Sequence, residues 1–175
     1  MTTDTSTLDR RVRDLVMLLT DLTELHEGLF TIIESKTGAM RAADLNGMRA
    51  AAVQERALAK RIQDREGLRR QLMDRIGDVL AMAPGQARTM TTTQLLSRVP
   101  TAQRQALSDA VAALREAVVN VARVNRVAAG IARGVLGHFR SVFASVTAGE
   151  ERPTGYSQSG GVVATPDRQI FNAVG

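Results

Sequence analysis

The sequence predicts an all-α protein, an elongated antiparallel helical bundle of three long helices with a flexible C-terminal tail. Hydrophobic residues make up 44% of the 175 residues, but aromatic residues make up only 3%. The core must therefore be built from Ala, Leu, Val, Ile and Met, which suits helices better than a β-sandwich or barrel. Two long stretches also repeat apolar residues alternately every four and three positions, the spacing of one helix face. We assign residues 1–147 to the bundle and the Gly-, Ser- and Thr-rich residues 148–175 to the tail.

The first helix is predicted over about residues 7–43. Alternating steps of four and three residues from Leu8 to Ile33 meet eight positions, of which seven are apolar. The remaining position is His26, and this setting favours a partly buried core histidine over a metal ligand or a catalytic base. Ser6 or Thr7 can cap the N-terminus of this helix with its hydroxyl group.

The second helix is predicted over about residues 45–83. Asp44 directly precedes it and is a good N-cap, because its carboxylate can accept a hydrogen bond from a free N–H group of the first turn. The pair Pro84 and Gly85 stops the helix. A polar connector follows, in which Thr93 can cap a short helical turn.

The third helix is predicted over about residues 101–147 and carries the clearest apolar repeat of the chain. The same steps from Leu107 to Val146 meet twelve positions, of which eleven are apolar residues or alanine. Asn125 is the exception. It can fix the register of the bundle at some cost in stability, or a local tilt of the helix can take it out of the core.

Three glycines within the third helix, Gly130, Gly134 and Gly137, admit three explanations. Each costs about 1 kcal/mol relative to alanine inside a helix. They can allow another helix to approach closely, they can act as a hinge, or they can mark a break before a short fourth helix. The third helix is also the longest, so at about 1.5 Å per residue we expect it to overhang its neighbours by on the order of 10 Å.

All three explanations place an apolar patch at the end of the bundle, next to the tail. Such a patch is expected to bind a partner protein. Burial within a homodimer or against the first helix is the alternative. The members of the patch are Val135, Leu136, Phe139, Val142, Phe143 and Val146.

The composition argues against an enzyme, a cofactor and a metal site. The chain has no Cys, which excludes disulfides, a thiol nucleophile and a cysteine zinc site. Its two histidines, His26 and His138, lie in different predicted helices and outside any motif with metal-ligand spacing. The sequence also lacks the glycine-rich phosphate loop and the nucleophile elbow. We therefore predict no catalytic residue, no cofactor, no metal and no small-molecule substrate.

The charge pattern and the N-terminus limit the classes of partner. The net charge is +5, and the third helix carries six Arg against two acidic residues. This balance permits nucleic-acid binding, but interleaved aromatic residues for base stacking are missing, so nucleic acid is disfavoured as a partner. The N-terminus lacks an apolar signal-peptide segment, and no apolar run reaches the roughly 18 residues of a membrane span. We expect a cytoplasmic protein without membrane insertion.

Several short features follow one another in a defined order along the chain. They comprise the end of the leucine-striped first helix, the break after it, two charged residues of the second helix, a segment of the third helix and a glycine-rich segment of the tail. In order they are Ile33–Met40, Asp44, Glu55, Arg65, Val121–Arg126 and Thr154–Gly160. Together they resemble the FlgN family of flagellar type III export chaperones, and the resemblance covers roughly residues 8–161.

The resemblance implies a chaperone rather than an enzyme. Such chaperones bind hook–filament junction proteins, hold the C-terminal segments of these clients unassembled and deliver them to the flagellar export gate protein. The family's client-binding region corresponds here to the C-terminal part of the third helix, and the family's gate-docking tyrosine corresponds to Tyr156, the one tyrosine of the chain. The implied client-binding residues are Val124, Ala128, Ile131, Val135, Leu136, Phe139, Val142, Phe143 and Val146.

Two other functions remain open at the level of the residues themselves. The long apolar repeats are also typical of a homo-oligomeric coiled-coil protein with a structural or adaptor role. The arginine-rich third helix is compatible with a basic helical nucleic-acid-binding protein.

Overall fold

The computed structural model describes residues 2–83, 85–99 and 101–149. Within these ranges the chain is helical and contains no strand, which confirms the all-α class. The elements are α1 (Thr2–Arg41), α2 (Leu45–Val79), a 3₁₀ helix (Gln86–Thr89), α3 (Thr92–Arg98) and α4 (Thr101–Gly149). From residue 150 onward, the predicted tail lies outside the described residues.

The described residues contain four α-helices rather than three, because the connector before α4 forms a short helix where only a helical turn is predicted. A capping box begins this helix, α3. The N–H of Gln94 donates to the Thr91 hydroxyl over 3.3 Å, and the N–H of Thr91 donates to the Gln94 side chain over 2.9 Å. The residue predicted as the cap, Thr93, lies inside the helix instead. These two reciprocal bonds satisfy backbone N–H groups that an uncapped seven-residue helix would leave unpaired.

The turn between α1 and α2 follows the local chemistry of its residues. Ala43 has a left-handed backbone with φ of 53°, which ends α1. Asp44 then caps α2, as predicted, by accepting a hydrogen bond of 3.0 Å from the N–H of Gly47. A Cβ at Gly47 would collide with the Asp44 carboxylate, so the glycine leaves room for this cap.

Ion pairs show that α1 and α2 run antiparallel. Lys36, near the end of α1, pairs with Glu55 in the first half of α2. Asp21, in the middle of α1, lies 3.5 Å from the guanidinium of Arg65, further along α2. Residue numbers therefore fall along one helix as they rise along the other, which is the arrangement of a helical hairpin.

The main core lies where α1, the second half of α2, α3 and the start of α4 meet. The predicted stripe of α1 supplies about half of it, and α3 docks through Leu95 and the adjoining Val99. The 3₁₀ helix packs closely on α2, since a Cβ at Gly77 would lie only 2.8 Å from the Cβ of Ala87. The buried members of the core are Leu8, Val12, Leu15, Leu18, Leu19, Leu72, Met73, Ile76, Leu95, Val99 and Leu107.

A second, smaller core joins the later part of α1 to α4. Fully buried Ile33 contacts Val121, Val124 and Ala128, with Leu29 and Phe30 packed at the side. Because early residues of α1 meet early residues of α4 in the main core, and late residues meet late residues here, the two helices run in the same direction.

The structure shows the burial of two residues for which the sequence left alternative roles, His26 and Asn125. His26 is partly buried, and its Nδ1 lies 2.7 Å from the carbonyl oxygen of Leu22, one turn earlier. This is the packed core histidine that the pattern favoured. Asn125 is exposed, so it is not a buried polar residue that fixes the register within this chain.

The described chain divides into two units, with the boundary between Ala132 and Arg133. The helix α4 is nevertheless uninterrupted from Thr101 to Gly149. The explanation of Gly130, Gly134 and Gly137 as a break before a short fourth helix is therefore wrong. Among the described residues, nothing lies within 4 Å of a Cβ built on any of the three, so the described part of this chain supplies no close helix contact there.

Candidate functional site

A row of exposed apolar side chains occupies the part of α4 that follows Arg133. Phe143 is 71% exposed and Phe139 is 58% exposed, values that a folded chain rarely leaves for phenylalanine. Every described side chain from 132 to 147 is exposed. We call the following six residues the apolar row: Val135, Leu136, Phe139, Val142, Phe143 and Val146.

The apolar row forms one face because its members recur at helical spacing. Steps of three, four and one residue keep all six within about a sixth of a turn on either side of Phe139. Isolated exposed apolar residues are common on protein surfaces, but a contiguous group of this kind marks an interaction site. The geometry therefore offers a continuous apolar surface on one side of a helix.

The nine predicted client-binding residues do not form one open surface. Val124 is only 8% exposed and Ala128 only 5%, because α1 already covers them through Ile33. Ile131 is half-buried. The other six are the apolar row, which is open. The predicted gate-docking residue, Tyr156, lies outside the described residues.

The glycines near the apolar row lie on the far side of α4. Gly134 and Gly137 precede Phe139 by five and two residues, which turns each of them nearly half a turn away from it. Their missing side chains therefore leave the apolar row itself unchanged. Ala132 is the small residue that lies on the same side as Phe139.

One edge of the apolar row is positively charged. Arg133 and Arg140 are exposed and seven residues apart, so they lie along the same edge of α4. Neither forms an ion pair within the described part of the chain. The opposite edge carries His138 and Ser145. From 117 to 149 the sequence contains no Asp or Glu, so the charge of this segment is not balanced locally.

The remaining described surface contains a shallow groove but no cluster of metal-ligating side chains. No group of three or more His, Asp or Glu residues among the described positions could hold a metal ion. A groove of about 360 Å³ lies between α1 and α4, beside Phe30, Glu116 and Asn120. Neither histidine lines it. In the part of the chain that the structure describes, no helix is long and apolar enough to cross a membrane.

The apolar row could have been missed by periodicity alone, because the repeat of α4 continues through buried and exposed stretches without change. Its exposure depends on which residues α1 covers, and that is a tertiary property. Leu136 and Phe143 lie beside the four–three repeat and widen the row on one side. The sequence signals that indicate exposure are the length of the third helix, which predicts an overhang, and the apolar patch at its end.

Comparison with known protein families identifies a match over most of the chain. A family model described as FlgN protein matches residues 11–164. No curated protein and no solved structure matches the chain significantly.

Proposed function

The chain belongs to the FlgN family of flagellar export chaperones, and from this premise we propose that it is a cytosolic chaperone for hook–filament junction proteins. In this proposal the apolar row binds the C-terminal segments of these clients. Binding prevents their premature assembly, and the complex is then delivered to the type III export gate. The role requires neither a catalytic residue nor a cofactor.

The exposure of the apolar row is the observation that supports the proposal most strongly. Six large apolar side chains lie on one helix face and are all open to solvent. Proteins that polymerise through helices present amphipathic terminal segments, and such a segment can lie along an apolar helix face with anchors every three or four residues. Covering that segment would remove the surface through which the client assembles.

Free-energy magnitudes show why the partner must be a continuous segment. Fully burying one large apolar side chain contributes about 1.5–3 kcal/mol. Association of two molecules costs on the order of 4–15 kcal/mol in lost freedom of motion. One or two contacts therefore cannot produce a stable complex, whereas simultaneous burial of Phe139, Phe143 and their neighbours can.

Co-purification tests the proposed client and the proposed surface together. The chain is co-expressed with the hook–filament junction proteins of the same genome, and the recovered complex is quantified. Phe139→Asp/Phe143→Asp should abolish recovery, because two carboxylates would be buried without partners. The matched control is Val53→Asp/Val119→Asp, which changes two exposed valines outside the apolar row and should leave recovery unchanged. Equal recovery of both double variants would contradict the site.

Delivery to the gate is tested separately through Tyr156. The family resemblance implies that this residue docks the loaded chaperone. Tyr156→Ala should leave the client complex intact while reducing export of the client in motility and secretion assays. Loss of client binding by the same variant would contradict a role confined to delivery.

The same exposed surface also supports one alternative, a homo-oligomeric coiled-coil protein in which a second copy covers the apolar row. Analytical ultracentrifugation of the full chain separates the two. A tight dimer that Phe139→Asp/Phe143→Asp converts to monomer would favour the structural or adaptor role. A monomer that associates only with client favours the chaperone.

A further inference from the structure

The charged residues along the edge of the apolar row indicate the charge of the partner that binds to it. Arg133 and Arg140 flank the row on one side only, while His138 and Ser145 lie on the other. A purely apolar contact would not need this asymmetry. Arginine is also the cation that forms planar, two-pronged hydrogen bonds to carboxylates.

The ion pairs between α1 and α2 show one way in which cations beside an apolar helix contact are paired in this protein. Where α1 packs against α2, Lys36 pairs with Glu55 of the neighbouring helix, and Arg65 lies 3.5 Å from Asp21. Each of these two cations has a carboxylate on the facing helix. Arg133 and Arg140 stand in the same relation to the apolar row, but the described part of this chain supplies them no carboxylate.

We propose that the apolar row selects an acidic amphipathic helix, an inference that rests on the proposed function and specifies the chemistry of the client. The partner helix carries an apolar stripe together with Asp or Glu residues about seven positions apart along one edge. The apolar stripe covers Phe139 and Phe143. The carboxylates pair with Arg133 and Arg140 and set the orientation of the partner.

A second copy of this chain fits the edge poorly. If two copies paired antiparallel through their apolar rows, the arginine edge of one would face the arginine edge of the other. In a parallel pair, it would face His138 and Ser145. Within the described part of α4, neither arrangement provides a carboxylate, because the segment from 117 to 149 contains none.

Two other polyanions fit the charge but not its placement. A lipid surface meets both edges of an amphipathic helix equally, and membrane-surface helices carry cations across the whole polar face. Here one edge is cationic. Nucleic acid would contact the arginines but would leave the adjoining apolar row uncovered.

Three synthetic peptides test the selection on the full chain. Each has about 21 residues, or six helical turns, and the same leucine stripe; the edge positions carry Glu, Gln or Lys. Fluorescence anisotropy should show that the Glu peptide binds best and the Lys peptide worst, with a spread of at least about tenfold in Kd. The spread should shrink between about 0.05 and 0.5 M salt, because salt screens exposed charges.

Reversing the charge of the two edge arginines tests whether these residues select the peptide. Arg133→Glu/Arg140→Glu should invert the order, so that the Lys peptide binds best. Arg49→Glu/Arg70→Glu changes the net charge equally at two exposed arginines of α2 and should keep the original order. Circular dichroism of both variants should show unchanged helix content.

Several results would overturn the proposal. These are equal binding of the three peptides, binding of none, and inversion of the order by the α2 control as well. Tighter binding to duplex DNA or to vesicles with anionic lipid, lost on Arg133→Glu/Arg140→Glu, would assign the edge to those partners. Failure of the proposed function would give a different result. The Glu peptide would still bind best and the Lys peptide worst, but junction proteins would not co-purify with the chain.

Discussion

The apolar repeat of α1 and the apolar row of α4 have the same spacing, but the first is buried and the second is exposed. Leu22, in the repeat of α1, is fully buried, whereas Phe143, in the row on α4, is 71% exposed. Both stretches place apolar residues every three or four positions. The comparison shows that periodicity identifies a face of a helix, while burial depends on whether a neighbouring helix covers that face.

The largest expected change in stability comes from truncating a buried side chain of α1, and the same truncation in the apolar row is the comparison. Leu22→Ala should lower the free energy of unfolding by about 2–5 kcal/mol, because it removes a buried side chain and leaves a cavity. Phe143→Ala should change it by no more than about 0.5 kcal/mol, since this side chain is exposed. Urea denaturation followed by circular dichroism measures both. Comparable losses for the two variants would mean that the chain itself covers the apolar row.

The second test compares two glycines of α2. Gly77→Ala should cost about 1–3 kcal/mol, because the new Cβ would lie 2.8 Å from Ala87 and push the 3₁₀ helix away. Gly67→Ala is the matched control. Nothing among the described residues lies within 4 Å of its Cβ, so it should stabilise the helix by up to about 1 kcal/mol. Equal shifts in the urea midpoint would contradict the close contact at Gly77.

The features that could be predicted from the sequence are those fixed by local chemistry. The all-α class follows from composition and spacing, and Asp44 was identifiable as a cap because its carboxylate needs only the next turn. For α3, the sequence predicts a short helical turn capped by Thr93, whereas the reciprocal pair of Thr91 with Gln94 begins the helix. Its length also depends on the docking of Leu95 into a core built from distant residues.

The division within the predicted binding surface could be predicted only in part from the sequence. The length of the third helix indicates an uncovered end that carries the apolar row, but it does not indicate where the cover by α1 stops. Val124 and Phe139 lie on the same side of the same helix, yet the first is buried and the second exposed. The difference arises because Ile33 of α1 covers Val124. Such coverage depends on the register between α1 and α4, which no spacing within α4 encodes.

The third test concerns the glycines behind the apolar row. Gly134→Ala should stabilise α4 by about 1 kcal/mol, since alanine fits the helix better and no described atom lies within 4 Å of the new Cβ. Because Gly134 lies nearly opposite Phe139, binding of the apolar row to its partner should not change. Thermal circular dichroism and the Kd of the Glu peptide measure the two effects. Weakened binding would instead support the hinge explanation.

The smallest expected effect is on the pH dependence of stability, and it concerns the ion pair between the 3₁₀ helix and α2. Arg88 donates a 2.7 Å hydrogen bond from its Nε to Asp74 of α2, and this bond holds the pKa of the Asp74 carboxyl below its ordinary value. A carboxyl whose pKa is lower in the folded state stabilises the fold above its unfolded pKa of about 3.9 and loses that contribution as the pH falls through the folded value.

Asp74→Asn should therefore lower the free energy of unfolding slightly at neutral pH, and the difference from the natural chain should disappear below about pH 4. The effect is small because both side chains are partly open to water. Asp78→Asn, one turn later on α2, is the matched control, because Asp78 has no ion pair among the described residues. Urea midpoints measured from pH 7 downward decide this. A deficit of Asp74→Asn that persists unchanged in acid would mean that the amide perturbs packing against the 3₁₀ helix rather than removing a charge.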